Sequence, residues 1–364
     1  MILFSLQFIL TNIVFSVIIC VALMRLNREK IHSNLELLLY SLGLGPIFTS
    51  LLLYYLLLFF PHNSNLFYFS TVIVIYLILS LLGRKYFSVL WTDIKKKAKN
   101  TKKTFKNLSA YYRIEFIVFS LVIILLLASF LFLYATNTLQ IPLGGTDALK
   151  YGNLGKILFK EKSLEYRWIR TYPKTGFYFI ANSAPSFSLF LTWEKILDSF
   201  FKVNKGLYYK SLSAYYALLI LSVFVFWLSK KSKYLALLSI FALLSGFSFF
   251  RTLITQHLDS YRVFFLIISW IFLAYTIEKK DFLSFFLLGI FSGFAAFAHT
   301  IGAIFVIFNC FTLFIFMKGN LKNKFSRTSL IIILVIIFGW FHYILDTFWG
   351  FGWVIFDRQV TWWG

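Results

Sequence analysis

Apolar residues come in runs of membrane-span length, broken by short clusters of Lys and Arg, and this alternation sets the architecture. A hydrocarbon core of roughly 30 Å takes about 20 helical residues to cross. Spans are expected at about 2–24, 35–60, 66–82, 114–135, 208–229, 234–250, 263–277, 282–298, 301–317 and 329–346. Basic clusters follow every second run: Arg25, Arg28 and Lys30; Arg84 through Arg113; Lys230, Lys231 and Lys233; Lys279 and Lys280; Lys318, Lys322, Lys324 and Arg327. The positive-inside rule makes these loops cytoplasmic, so ten spans put both termini outside. The Arg84–Arg113 stretch holds ten Lys/Arg against one acid, Asp93. It reads as a basic cytoplasmic loop that fixes topology or docks on anionic headgroups.

Residues 136–207 break the rhythm with a long external segment of mixed polarity. Gly144-Gly145-Thr146-Asp147 predicts a turn and a helix start, with Thr146 as N-cap and Asp147 in the first turn. Over 147–159, Ala148, Tyr151, Leu154, Ile157 and Leu158 share one helical face, with Lys150, Lys156 and Lys160 off it. A second helix is expected after Pro185, with Phe190, Trp193, Leu197 and Phe201 on one face and Glu194, Lys195 and Asp198 off it. Both fit interfacial helices with the apolar side in lipid. Between them, Arg167-Trp168-Ile169-Arg170-Thr171-Tyr172-Pro173-Lys174 suits a lipid phosphate or a sugar ring.

Composition narrows the class. At 60% hydrophobic residues, 14% charged residues and a mean hydropathy of +0.79, the chain is not a soluble globule. The net charge of +22 is spread through short loops, with no basic domain to grip nucleic acid. Cys20 and Cys310 sit within apolar runs, which suggests neither disulfide nor metal site. The first run lacks a basic leader and a cleavage site, so it is expected to be retained as a span. Asn107-Leu108-Ser109 falls in a cytoplasmic stretch, where a glycosylation triplet is silent. Metal-ligand spacing, a P-loop and a nucleophile elbow are absent from the sequence.

The expected topology gathers four polar groups on the outer face: Asp147 with Lys150; Arg167 and Arg170; Arg251, His257, Asp259 and Arg262; and His299. Ionisable residues at this depth are costly and tend to be functional. A carboxylate there can act as general base on a sugar hydroxyl or hold a divalent cation, and nearby Arg and His can neutralise a departing phosphate. Plainer roles exist for each. Asp147 complements a helix N-terminus, Arg251 and Arg262 snorkel to headgroups, Asp259 pairs with Arg262, and His299 is a turn residue.

Three stretches carry a family resemblance: Gly145-Thr146-Asp147-Ala148, Asn182-Ser183-Ala184-Pro185-Ser186-Phe187, and His257-Leu258-Asp259-Ser260. With the small-residue hairpin Gly289–Gly302, they make the chain resemble the GT-C superfamily of integral-membrane glycosyltransferases that use polyprenyl-phosphate-linked sugars. The resemblance implies an all-α polytopic membrane protein of about ten transmembrane helices, with a long external first loop carrying interfacial amphipathic helices. It implies an N-terminal membrane extension over 1–113, a core over 114–346 with its loop at 136–207, and an external aromatic tail over 347–364. Asp147 would be general base or, with Asp259, ligand to Mg or Mn. Lys150, Arg167, Arg170, Arg251, His257, Arg262 and His299 would hold the lipid-linked sugar. The reaction would be inverting transfer to a glycan, lipid or protein acceptor at the outer face of the cell membrane, the inner membrane in a bacterium. Two departures stand out: Thr300 occupies the position where the family carries Pro, and members usually run on through more spans. The second implies an acceptor part supplied by a membrane subunit, or an idle member. Rival readings are an O-antigen-type polymerase or ligase, which leans on loop Arg and His, and a transporter or flippase of lipid-linked sugars.

Overall fold

The computed structural model describes residues 6–27, 32–107, 109–133, 146–164, 171–172, 177–178, 185–201, 207–246, 259–279 and 281–348. These form helices apart from one antiparallel pair of two-residue strands, β1 (Thr171–Tyr172) and β2 (Phe177–Tyr178). In chain order the first helices are α1 (Leu6–Met24), with a π-helical stretch at Ile9–Val14, α2 (Asn34–Ser41) and α3 (Leu44–Phe59). Next come α4 (Asn65–Asn107), α5 (Ala110–Leu133), α6 (Thr146–Glu161), α7 (Ser186–Phe201) and α8 (Leu207–Ser229). The chain continues through α9 (Lys233–Ser245), α10 (Asp259–Lys279), α11 (Phe282–Ala298) and α12 (Thr300–Phe316). It closes with α13 (Leu321–Val335), a π-helical stretch (Ile336–Trp340) and α14 (Phe341–Phe348).

Among the described residues, five helices are long and apolar enough to cross a membrane: Leu6–Met24, Asn65–Asn107, Tyr209–Ser229, Ser260–Lys279 and Leu321–Leu345. The bent pair α2–α3 makes a sixth. This is an all-α, membrane-integral architecture. At three positions expected to span, the helices are shorter: α9 has 13 residues, and α11 and α12 have 17 each. One continuous apolar core runs from Phe15 of α1 to Val335 of α13. α11 lies in its middle, packed against α10, α12 and α13.

Three expectations change. The apolar run 35–60 is not one helix but two, bent by 52°. Pro46 has no N–H to offer the Leu42 carbonyl four residues back. Ser16 Oγ (2.7 Å) and Tyr215 OH (2.6 Å) donate to that carbonyl instead, and Tyr216 OH donates to Gly43 O at 2.8 Å. Secondly, the basic stretch after Arg84 is not a loop. It prolongs the preceding span as a single 43-residue helix, about 64 Å long at 1.5 Å per residue.

Thirdly, α7 does not lay its apolar side in lipid. Trp193 is 1% exposed and its Nε1 donates to Thr11 Oγ1 at 3.0 Å. The opposite side is also covered, with Glu194 1% exposed and Asp198 accepting from Gln7 Nε2 at 3.1 Å. Only the last turn, at Phe200 and Phe201, is exposed. α6 packs alongside α7 in parallel: Tyr151 meets Phe187, and Gly155 lies against Ser188 and Leu191. A Cβ on Gly155 would sit 2.5 Å from Ser188 O, so a larger residue would force the two helices apart.

Candidate functional site

α7 lies across one end of the bundle. Its start touches the starts of α8 and α10, where the Phe187 ring is 4.6 Å from Tyr209 and 6.3 Å from Tyr261. Its far end touches the starts of α1 and α4, through Gln7–Asp198 and the Phe69–Phe200 rings 5.0 Å apart. The start of α6 joins the same cluster, with Tyr151 edge-on to Phe187 at 5.9 Å.

The N-terminal ends of α6, α7, α8 and α10 therefore surround one group of rings: Tyr151, Phe187, Tyr209 and Tyr261. Each helix start carries unsatisfied N–H groups and a partial positive charge of about half an electron. Glu194 caps one of them, its Oε2 accepting from Tyr209 N at 3.3 Å, and it interacts with buried Lys210 next along α8. The sequence pattern placed Glu194 merely off the apolar face. Its role is legible only once α8 is seen to start beside it.

Asp147 occupies the second position of α6, one turn before Tyr151, and Lys150 follows on the same turn pair. Asp259 opens α10, two residues before Tyr261. The heads of the two helices that carry the predicted carboxylates thus meet through Tyr151, Phe187 and Tyr261. The side chains of Asp147, Lys150 and Asp259 lie outside the described residues, as do Arg167, Arg170, Arg251 and His257 altogether.

Arg262 and His299 come together from separate elements, Arg262 in the first turn of α10 and His299 at the turn between α11 and α12. Arg262 Nη1 is 3.4 Å from His299 Nε2. His299 is also the N-cap of α12, its Nδ1 accepting from Ile301 N at 3.1 Å. With Nδ1 engaged as acceptor, a neutral ring carries its proton on Nε2, the atom facing Arg262. Two donors set edge to edge favour an anionic oxygen placed against both. A fifth helix start, that of α12, adds its partial charge here.

The sequence reading missed a second polar group at the opposite end, where α8 and α10 finish and α2 and α11 begin. Glu36 accepts from Tyr275 OH (2.6 Å), Tyr40 OH (2.9 Å) and Lys230 Nζ (3.4 Å). His32 Nε2 lies 2.9 Å from Ser284 Oγ, which donates to Asp281 Oδ2 at 2.5 Å. Burial pulls the His32 pKa down, against the opposing pull of Asp281 and Glu36. The available signal was the acid-bearing cluster Glu278–Asp281 among basic loops.

Among the described residues no three His, Cys, Asp or Glu side chains converge as a metal site would require. No protein-family model matches the chain, and comparison with curated proteins and with solved structures finds no similar protein.

Proposed function

We propose that this chain is a ten-span membrane glycosyltransferase that moves a sugar from a polyprenyl-phosphate carrier to an acceptor hydroxyl at the outer face of the membrane. The observation that supports it is the meeting of Arg262 and His299 at the starts of α10 and α12, at the end where the starts of α6, α7 and α8 also join α10 through their rings, in the part of the chain that resembles the GT-C enzymes. Such an end favours a phosphate over any neutral or cationic group. In this reading Asp147 takes the proton from the acceptor hydroxyl, and the oxygen attacks the anomeric carbon from the face opposite the phosphate. The bond from that carbon to the phosphate oxygen breaks and the linkage inverts. The departing phosphate keeps the bonding pair and is stabilised by Arg262, His299 and the helix N-termini. Asp259 orients the sugar.

A transporter of lipid-linked sugars would make use of a broken helix whose freed carbonyls face the cargo. The α2–α3 break is of that kind, but its Leu42 and Gly43 carbonyls already accept from Ser16, Tyr215 and Tyr216. The test is reconstitution with a panel of polyprenyl-phosphate sugars, following sugar transfer or release. Asp147→Asn should lower turnover by at least about 100-fold, as loss of a general base does, with the monodisperse fold retained. A fully active Asp147→Asn protein would remove the proposal. Loss confined to Arg167→Ala and Arg170→Ala would favour the O-antigen-type ligase instead.

A further inference from the structure

The second half of α4 and the first half of α5 leave an open groove of about 790 Å³ between them. Its α4 wall is a helical stripe from Ile94 to Phe105, and its α5 wall carries Ile117 and Leu121, 46% and 52% exposed. Phe105 and Phe116 close the hairpin end, with ring centroids 5.5 Å apart. Lys97 and Lys102 line the groove from either side of the α4 stripe. At 100° per residue they fall about 70° to each side of its centre, whereas Lys96 and Lys103 point almost directly away.

Charge selects the occupant. The Arg84–Arg113 stretch has ten basic residues and one acid, and that acid, Asp93, accepts from Asn34 Nδ2 at 2.6 Å. The neighbouring Glu115 accepts from Tyr234 OH. An apolar floor with ammonium groups on both rims and both nearby carboxylates engaged elsewhere suits one amphiphile: a hydrocarbon chain with an anionic phosphate head. We propose that this groove binds an anionic phospholipid, with an acyl chain along Ile94, Ile117 and Leu121 and the phosphate between Lys97 and Lys102. The site is separate from the glycosyltransfer reading and stands or falls without it.

The test uses the purified full chain, with bound dioleoylphosphatidylglycerol and dioleoylphosphatidylcholine counted in competition by native mass spectrometry. A basic residue near an anionic lipid is worth about fivefold in affinity. The wild type should therefore prefer the phosphatidylglycerol by about tenfold or more. Lys97→Gln/Lys102→Gln should lose most of that preference, and Lys96→Gln/Lys103→Gln, with the same charge change on the far face, should keep it. All four lysines are exposed, so neither variant threatens the fold. Equal binding of the two lipids, or equal loss in the two double variants, would overturn the site.

Discussion

At the scale of single residues, the connections at the α7 end of the bundle are fixed by unusual backbone. His62 and Lys162 are both non-glycine residues with left-handed φ, at 60° and 55°. Each holds the other: His62 N donates to Lys162 O at 2.8 Å, and His62 Nδ1 lies 3.0 Å from Glu161 O. This places the α3–α4 turn against the end of α6. The Lys162 ammonium reaches Asn65 Oδ1 between the Phe159 and Tyr68 rings, 4.1 and 5.8 Å from their centroids. Burial there pushes its pKa down from 10.5 to about 8. The unfolded chain keeps that proton to higher pH, so between the two values the native state binds fewer protons and stability rises with pH. Solvent at this half-buried position tempers the size of the effect. Melting temperatures of wild type and Lys162→Met, compared at pH 7.5 and 9.5, should diverge by a few degrees in favour of the wild type at the higher pH. A difference that does not change with pH would mean that Lys162 titrates as an ordinary surface lysine.

At the scale of elements, the Arg262–His299 contact depends on how closely α11 and α12 approach. Gly302 lies in the first turn of α12, where a Cβ would stand 1.9 Å from Ala295 O. That neighbour is backbone and cannot swing aside. Gly302→Ala should therefore displace α12, costing about 1–3 kcal/mol and separating His299 from Arg262. Thermal unfolding in detergent reports the first effect. A drop in sugar transfer beyond that of an equally destabilised core variant, such as Leu288→Ala, reports the second. Retained stability would show that the hairpin tolerates the extra methyl by sliding.

The same close packing explains what the sequence could and could not reveal. Apolar periodicity shows that a face leaves water, but not whether lipid or protein meets it. Trp193 and Leu197 were correctly set on one buried face of α7, and the Trp193 ring meets Thr11 and Phe15 of α1 and Phe69 of α4 rather than acyl chains. Likewise the lysines after Arg84 marked the end of the hydrocarbon-compatible run, yet lysine is a good helix former, so α4 runs on past it. The break after Ser41 was written in Pro46, and its meaning appears only with Ser16 and Tyr215, 26 and 173 residues from Leu42. Arg262 and His299 were each legible as polar residues at helix ends. Their meeting is tertiary, and periodicity carries no trace of it.

At the scale of the whole molecule, two polar clusters that hold charged side chains stand at opposite ends of the bundle. One holds the starts of α1, α4, α6, α7, α8, α10 and α12. The other joins the ends of α8 and α10 to the starts of α2 and α11 through Glu36, Lys230, His32 and Asp281. Lys230, Lys231 and Lys279 lie at this second end, which we propose on the positive-inside rule to be the cytoplasmic one. The α3–α4 turn, tied to Lys162, then belongs to the outer end. Labelling with a membrane-impermeant maleimide checks this directly. Cys20 is buried and Cys310 is partly buried within α12, and both can be replaced by Ala to clear the background. Asn63→Cys should react in intact cells, whereas Lys231→Cys and Asn320→Cys, both at exposed positions, should react only after permeabilisation. Reaction of Asn63→Cys and Lys231→Cys from the same side would separate helix ends that α8 and α10 connect across the core. It would also move the Arg262–His299 end away from the leaflet where a lipid-linked sugar is proposed to be used. Opposite labelling with reversed sides would keep the bundle intact and turn the proposed transfer to the cytoplasmic leaflet.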